Sequence, residues 1–362
     1  MSVKKKIWSL GWRLAVCGLL LLWIFHSIFL NEGRLVRHAQ GLDWEKLARG
    51  DQWKIGWSIG PAELGRTLWQ VHPVAFLLSL ILMGLIILLG VLRWRITLEA
   101  QGLHLPMRRA LAISFIAHFF NSFLLGSTGG DLIKAYYAAR ETHHKKTEAI
   151  VTVFVDRLIG LWAMLIFAGV MMLPNQGLLF KHDDLRHWAL IILLMLLGCS
   201  AILGIAFWGG LSKRWPKARF FLRRLPKGAA LEHSLDSCRQ FGRQRFFLLK
   251  TLSVSFALNA LCVFQIMALA RGLDLNISPL ALFVIVPIII SISALPISVS
   301  GLGVREYLFV LMLAAPEINA AKTSALSLSL LSFAGSLFWS LVGGIVYLSL
   351  KEKEHLEEIT QP

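Results

Sequence analysis

Long runs of apolar residues constrain this chain more than any other feature of its sequence. Six runs reach the roughly 20 residues that an α-helix needs to cross a bilayer. The chain is 56% hydrophobic and only 16% charged, whereas soluble domains average about 25% charged residues. We therefore predict an all-α polytopic membrane helix bundle that forms a single domain over residues 1–362. The predicted spans are 10–30, 73–92, 149–173, 188–210, 251–270 and 323–349.

Two further apolar stretches are interrupted by turn-forming residues. The stretch 110–128 ends in Gly-Ser-Thr-Gly-Gly and is followed by charged residues. The stretch 277–315 is broken by three prolines and by two glycines, Gly301 and Gly303. Proline disfavours a helical conformation at the residue before it, and glycine permits sharp turns. Neither stretch therefore resembles a simple crossing helix.

The distribution of lysine and arginine favours two re-entrant hairpins, the first entering from the inside and the second from the outside. With the N-terminus inside, this arrangement places 25 cations inside and 10 outside. If 110–128 crossed fully, the segment 211–250 with its 11 cations would lie outside, against the positive-inside rule. The predicted N- and C-termini are cytoplasmic. The pattern is that of an inverted repeat whose broken helices meet near the midplane, and a kinked eight-helix bundle is the alternative.

Two charged segments flank the spans. The segment 31–72 contains four tryptophans, so we expect it along the outer interface, with the indole rings at head-group level. The segment 211–250 mixes cations with phenylalanines, which is typical of an element that lies on an anionic cytoplasmic leaflet. Both positions also account for the net charge of +16, so we expect no nucleic-acid partner.

The two interrupted stretches each contain a candidate anion site. In the first, we expect the tip at Ser127-Thr128-Gly129-Gly130, and the returning helix begins near Asp131 with Lys134 one turn later. A helix N-terminus that points into the membrane interior favours a phosphate or carboxylate. The alternative is that Asp131 caps its own helix.

The second tip repeats this arrangement with different residues. It contains Gly301 and Gly303, and Arg305 and Glu306 follow them. A break rich in serine and glycine again precedes a helix start. Gly301-Leu302-Gly303 is not a dinucleotide fingerprint, because no strand precedes it and the third glycine is missing.

Asp156 and Arg157 lie about two turns inside the predicted span 149–173. Charges at that depth are costly and normally face a bundle interior or a wet cavity. Helix neighbours point about 100° apart, so each needs a partner elsewhere. We expect Arg157 to meet Asp131 or Glu306, and Asp156 to meet Lys134 or Arg305. Asn121 is a candidate for the same buried network, and a purely structural role for the network is the alternative.

The sequence contains none of the common catalytic signatures. It has no HExxH motif, Walker loop, paired-aspartate magnesium motif or nucleophile elbow, and its four cysteines are not at metal-ligand spacing. We therefore expect no enzymatic activity, no catalytic residue, no cofactor and no metal. An embedded transferase would need a convergent base and nucleophile, and Asp131, Asp156 and Glu306 are the acids placed for that role.

Three motifs in order resemble those of the lysylphosphatidylglycerol synthetase transmembrane-region family: NSFLLGSTGGDLIKAYY, DRLIG and PISVSGLGVRE. The resemblance covers about residues 10–350 and implies a flippase-like role. It implies that the matching positions handle lipid: Gly129, Gly130, Asp131, Lys134, Asp156, Arg157, Gly301, Gly303, Arg305 and Glu306. The chain stops at Pro362 without a soluble aminoacyl-transferase domain, so we do not expect it to synthesise the modified lipid. Gly126-Ser127 stands where many members are expected to have a proline.

Together these features predict a lipid flippase of the bacterial inner membrane. A phospholipid or polyprenyl-phosphate head group would bind between the two tips, offset by Arg157, Arg305 and Lys134. Rocking of one repeat against the other would alternate access. The alternatives are a membrane enzyme that modifies a polyprenyl or phospholipid, and a non-transporting partner of a lipid synthase or glycosyltransferase.

Overall fold

The computed structural model describes residues 3–40, 42–123, 129–142, 145–177, 183–207, 237–295, 301–315 and 318–360. For residues 3–18, 20, 123, 175, 183–185 and 351–360 it describes the backbone alone. Helices dominate throughout these ranges, and none of the described residues lies in a strand. The predicted all-α class is therefore confirmed. The proposed basic segment 211–250 falls largely outside the described residues, as do Ser127 and Thr128 of the first tip.

Eleven principal α-helices follow one another in the parts of the chain that the structure describes. They are α1 (Val3–Ala39), α2 (Arg49–Trp69), α3 (Pro73–Ala100), α4 (Met107–Phe123), α5 (Gly129–Glu141), α6 (Lys146–Met172), α7 (Asp183–Phe207), α8 (Phe247–Gly272), α9 (Pro279–Ser293), α10 (Val304–Leu313) and α11 (Lys322–Thr360). Prolines stand at the first position of α3 and α9, where a missing N–H costs nothing and the fixed φ suits the helix.

Among the described residues, five helices are long and apolar enough to cross a membrane: Pro73–Ala100, Lys146–Met172, Arg186–Phe207, Phe247–Gly272 and Lys322–Leu350. They contain or closely match five of the six predicted spans, and the protein is a multi-pass membrane protein. The sixth predicted span, 10–30, lies within α1, where the structure describes side chains only at Leu19 and from Leu21 onward. That span stays a prediction.

The chain forms two compact units. Unit 1 comprises Met1–Met83, Asn175–Arg186 and Val263–Ser336, and unit 2 comprises Gly84–Pro174, His187–Cys262 and Leu337–Pro362. The helices α3, α7, α8 and α11 each continue from one unit into the other. The sequence predicted one domain over 1–362, and that remains a prediction.

Each unit contains one of the two interrupted stretches, folded as a pair of packed helices. In unit 2, α4 packs against α5, and in unit 1, α9 packs against α10. The four helices have 17, 13, 15 and 10 residues, so at 1.5 Å per residue they are about 25, 20, 22 and 15 Å long. Each is shorter than the roughly 30 Å hydrocarbon core, which agrees with the predicted hairpins. Re-entry from opposite sides stays a prediction.

The segment 31–72 is more helical than the sequence suggested. In unit 1, α2 packs antiparallel to the second half of α1, with Gly60 against Phe29. Leu64 joins Ile24 and Ile28 in one apolar cluster, and the Trp57 indole donates to His26 Nδ1 at 3.0 Å. The helix α2 therefore lies beside residues that were assigned to the first span. Its predicted interfacial position is not tested.

Candidate functional site

The start of α5 is fixed against α4 in unit 2 by a close backbone approach. The Gly130 N–H donates to Asn121 Oδ1 at 2.8 Å, so the amide takes one of the N–H groups that a helix start leaves unpaired. A Cβ atom at Gly130 would lie 1.9 Å from the Ala117 carbonyl oxygen. Only glycine fits there, and Gly129 beside it is also buried. This local geometry sets the position of Asp131 and Lys134 on α5.

Two ion pairs connect α5 to α6. Arg157 Nη1 lies 3.3 Å from Asp131 Oδ2, and Lys134 Nζ lies 3.9 Å from Asp156 Oδ2. The α5 partner of Arg157 is therefore Asp131, and that of Asp156 is Lys134. Each is one of the two partners that we considered from the sequence. The Asp131 carboxylate is therefore engaged with a cation on the neighbouring helix.

A third cation, Arg93 on α3, completes the unit 2 cluster. Its Nε donates to Asp156 Oδ1 at 2.9 Å and its Nη2 to Oδ2 at 3.4 Å. Its Nη1 donates to Ser255 Oγ of α8 at 3.2 Å. The fork of the guanidinium matches the two carboxylate oxygens, a geometry that lysine cannot provide.

The Lys134 ammonium group of this cluster is buried against an indole ring. The side chains of Arg93, Lys134 and Asp156 are 13%, 12% and 9% exposed, and Lys134 Nζ lies 4.1 Å from the Trp94 ring centroid. Trp94 itself is fully buried. Removal from water strengthens both the ion pairs and the cation–π contact, and leaves any unpaired charge costly.

The sequence did not identify Arg93 as part of the site. Its charge interrupts the apolar run, so the predicted span ends at residue 92 and Arg93 falls in the loop after it. The helix α3 continues to Ala100, so Arg93 lies inside it. A signal was present in the sequence: Gly160 follows Asp156 by one turn on the same helix face. A Cβ at Gly160 would lie 2.7 Å from both terminal nitrogens of Arg93, so that glycine makes room for the guanidinium.

Charge in the unit 2 cluster does not balance. Three cations, Arg93, Lys134 and Arg157, face two carboxylates, Asp131 and Asp156, which leaves one excess positive charge. The positive end of the α5 dipole adds to it. The Arg157 side chain is 43% exposed, so it is the cation of the three with most access to a ligand.

The second predicted tip forms a separate cluster in unit 1. Gly301 and Gly303 both have left-handed backbones, with φ of 74° and 83°, which glycine adopts without steric cost. The Gly303 N–H donates to Glu306 Oε2 at 2.6 Å. The fully buried Glu306 therefore caps the helix whose first turn contains it.

Arg305 in unit 1 is neutralised by its own neighbour. Its guanidinium donates to Glu306 Oε1 and, through Nε at 3.2 Å, to Ser329 Oγ, and it lies 5.0 Å from the Phe333 ring centroid. The expectation that adjacent residues are poor partners therefore fails here. Glu306 folds back toward Gly303, and the long arginine side chain follows it. This cluster is charge-balanced, unlike that of unit 2.

The predicted site residues therefore fall into two groups. Asn121, Gly129, Gly130, Asp131, Lys134, Asp156 and Arg157 lie together in unit 2, and Gly301, Gly303, Arg305 and Glu306 lie together in unit 1. The expected meeting of the two tips around one ligand stays a prediction. Among the described residues, no group of three or more His, Cys, Asp or Glu side chains could hold a metal ion.

One family model matches the chain. Its description is Lysylphosphatidylglycerol synthase TM region, and the match covers residues 53–347. These residues include α3 to α10 and both charge clusters. No curated protein sequence matches the chain significantly.

Proposed function

The chain belongs to the lysylphosphatidylglycerol synthase TM-region family, and from that premise we propose that it moves an anionic lipid head group between the leaflets of a bilayer. Family membership makes it a membrane protein related to lipid modification or transport. The observation that carries the finer proposal is the excess positive charge of the unit 2 cluster. A buried site with a surplus cation attracts an anion, and a phosphate bears the matching charge.

The arrangement of the three cations supports a division of roles. Arg93 and Lys134 share the Asp156 carboxylate and are mostly buried, so they act as a fixed positive platform. Arg157 is more exposed and makes a single ion pair with Asp131 at 3.3 Å. In our proposal Arg157 exchanges Asp131 for a lipid phosphate, and the acyl chains stay in the surrounding lipid.

We also propose that the chain is not itself an enzyme. The three acids that were candidates for a general base, Asp131, Asp156 and Glu306, all lie within ion-pair distance of a cation. In each case a cation of the chain occupies the position beside the carboxylate that a substrate would need. This supports binding and passage of a lipid rather than its covalent change.

The lipid class, cellular location and partners are parts of the same proposal. The ligand is a phospholipid or a polyprenyl-phosphate lipid, since both present a phosphate attached to apolar chains. The location is the bacterial inner membrane with both termini cytoplasmic, which the excess of inner cations supports. A lipid synthase or glycosyltransferase would supply or consume the transferred lipid.

Reconstitution tests the role of the unit 2 cluster. Purified protein is placed in vesicles with a head-group-labelled phosphatidylglycerol, and the label is quenched from outside to measure transfer between leaflets. We expect Arg157→Gln to slow transfer at least tenfold. The matched control is Arg95→Gln, which removes a cation that pairs with Glu99 on the same face of α3. Equal rates in Arg157→Gln and wild type would refute the proposed site.

A further inference from the structure

A groove of about 640 Å³ in unit 1 lies between the first turns of α3 and the last turns of α8. Its wall is apolar and includes Leu78, Leu82 and Phe264. Its polar lining is at one end, where His72, Arg271 and Asp274 lie. The groove therefore has the polarity gradient of a lipid molecule, and none of its lining residues belongs to either charge cluster.

Close helix packing fixes the shape of the groove. The His72 N–H donates to the Gly272 carbonyl at 2.9 Å, and a Cβ at Gly272 would lie 2.6 Å from the Ala75 Cβ. Deeper along the two helices, Gln265 Nε2 donates to Ser79 Oγ at 3.3 Å, and both residues are buried. These contacts hold α3 and α8 together behind the groove, so a ligand meets a preformed surface.

The length of the groove matches one leaflet. Its lining on this side runs from His72, just before α3, to Leu82, which corresponds to about 15 Å at 1.5 Å per residue. Half of a roughly 30 Å hydrocarbon core is also about 15 Å. An acyl chain that follows the wall from the polar end would therefore reach about the middle of the bilayer.

The polar end presents one cation and one acid that do not neutralise each other. Arg271 and Asp274 both line the groove and are both exposed. Neither side chain makes an ion pair with any part of the chain that the structure describes. Two opposite and unpaired charges at the mouth of an apolar groove complement a zwitterionic head group.

Asp274 occupies a position where its charge is unfavourable for the helix that it ends. The N–H of Leu275 donates to Ala270 O at 2.9 Å and that of Asp274 to Arg271 O at 3.1 Å, which is a Schellman end to α8. Asp274 has φ of 55°, a position that glycine usually fills, and its carboxylate lies at the negative end of the helix dipole. Local helix stability does not explain an aspartate here, so we assign the carboxylate to ligand recognition.

We propose that this groove binds a glycerophospholipid with a zwitterionic phosphoethanolamine head group. The phosphate accepts hydrogen bonds from the Arg271 guanidinium, with His72 beside it. The ammonium group donates to the Asp274 carboxylate, and one acyl chain lies against Leu78, Leu82 and Phe264. The proposal depends on unit 1 alone and holds whether or not the chain transports lipid.

Competitive lipid binding tests this site. The purified full chain in detergent is mixed with equal amounts of phosphatidylethanolamine and phosphatidylglycerol of identical acyl chains, and the retained lipids are counted by native mass spectrometry. We expect the wild type to retain more phosphatidylethanolamine. We expect Asp274→Asn and Asp274→Gly to lower the ratio of the two lipids about tenfold, which is the loss of one charge-assisted contact. Both replacements tolerate the left-handed backbone.

Two further variants complete the test. Arg271→Gln removes the phosphate contact that both lipids share, so retention of both should fall. Lys54→Gln is the control, because Lys54 is an exposed cation of α2 that does not line the groove, and it should behave as wild type. A wild type without preference, or Asp274 variants that keep the wild-type ratio, would overturn the proposal.

Discussion

Arg93 donates one hydrogen bond to each carboxylate oxygen of Asp156, at 2.9 and 3.4 Å, across 63 residues of sequence. The contact joins α3, two turns before its end, to the middle of α6 at a point where both side chains are largely buried. Because Lys134 shares the same carboxylate, Asp156 is the counter-ion that two cations have in common. This one acid therefore controls both the stability and the net charge of the unit 2 cluster.

Asp156→Asn should destabilise the protein strongly. The change leaves two buried cations without a counter-charge, and removal of one partner of a buried pair costs about 3–5 kcal/mol. Thermal unfolding of the purified protein in detergent measures the effect. In a double-mutant cycle, Arg93→Met combined with Asp156→Asn should cost less than the sum of the two single changes. Additive effects would show that the two residues do not interact.

Gly160→Ala should impair function more than stability. The added Cβ would lie 2.7 Å from the terminal nitrogens of Arg93, and the end of that flexible side chain can move at modest cost. The Arg93 guanidinium would then no longer align with the two carboxylate oxygens of Asp156, so lipid transfer in vesicles should fall several-fold. Gly169→Ala on the same helix is the matched control, since its Cβ would make an ordinary contact at 3.7 Å. If both variants transfer lipid equally fast, the Arg93 geometry is unimportant.

Gly130→Ala should disrupt the packing of α5 on α4. Its Cβ would lie 1.9 Å from the backbone carbonyl oxygen of Ala117. The backbone of a packed helix cannot move away as the end of a flexible side chain can. We expect poor yield of folded protein and a lower unfolding temperature. Gly90→Ala is the control within unit 2: its Cβ meets nothing within 4 Å, and alanine is favoured over glycine inside a helix by about 1 kcal/mol. A stable Gly130→Ala protein would contradict the close approach.

Glu306→Gln should distinguish the two roles of this buried acid in unit 1, which are helix capping and neutralisation of Arg305. Glutamine keeps an oxygen that can accept from the Gly303 N–H, but it no longer neutralises Arg305. The unfolding temperature should therefore fall. The added change Arg305→Met should recover part of the loss, because the unpaired cation is then gone. A further fall in the double variant would show that Arg305 is stabilised by groups other than Glu306.

The fold could be predicted because membrane helices obey strong local rules. Apolar length identified the long helices, and glycine and proline identified the two interrupted stretches. The candidate partners of Asp156 and of Arg157 could be narrowed to two each, one of them on α5, since a buried charge requires a counter-charge. These features could therefore be predicted from short segments of the sequence.

Other features depend on contacts between distant residues and left only faint local signals. Arg93 donates to Ser255, 162 residues later, and no local pattern links the two. The packing of α2 along α1 was hidden because α2 carries charges and contains Pro61. The Arg305–Glu306 pair was not expected, because adjacent side chains of a regular helix point about 100° apart. The pair lies in a first turn, where Glu306 folds back as a cap. Gly160 was the available clue to Arg93.

The transfer rate of an anionic lipid in vesicles that contain only this protein tests the central claim most directly. Labelled phosphatidylglycerol and labelled phosphatidylcholine, a lipid without net charge, are compared in parallel with protein-free vesicles. We predict that the protein accelerates transfer of phosphatidylglycerol well above the protein-free rate and above that of phosphatidylcholine. Transfer of phosphatidylglycerol no faster than in protein-free vesicles would contradict the account.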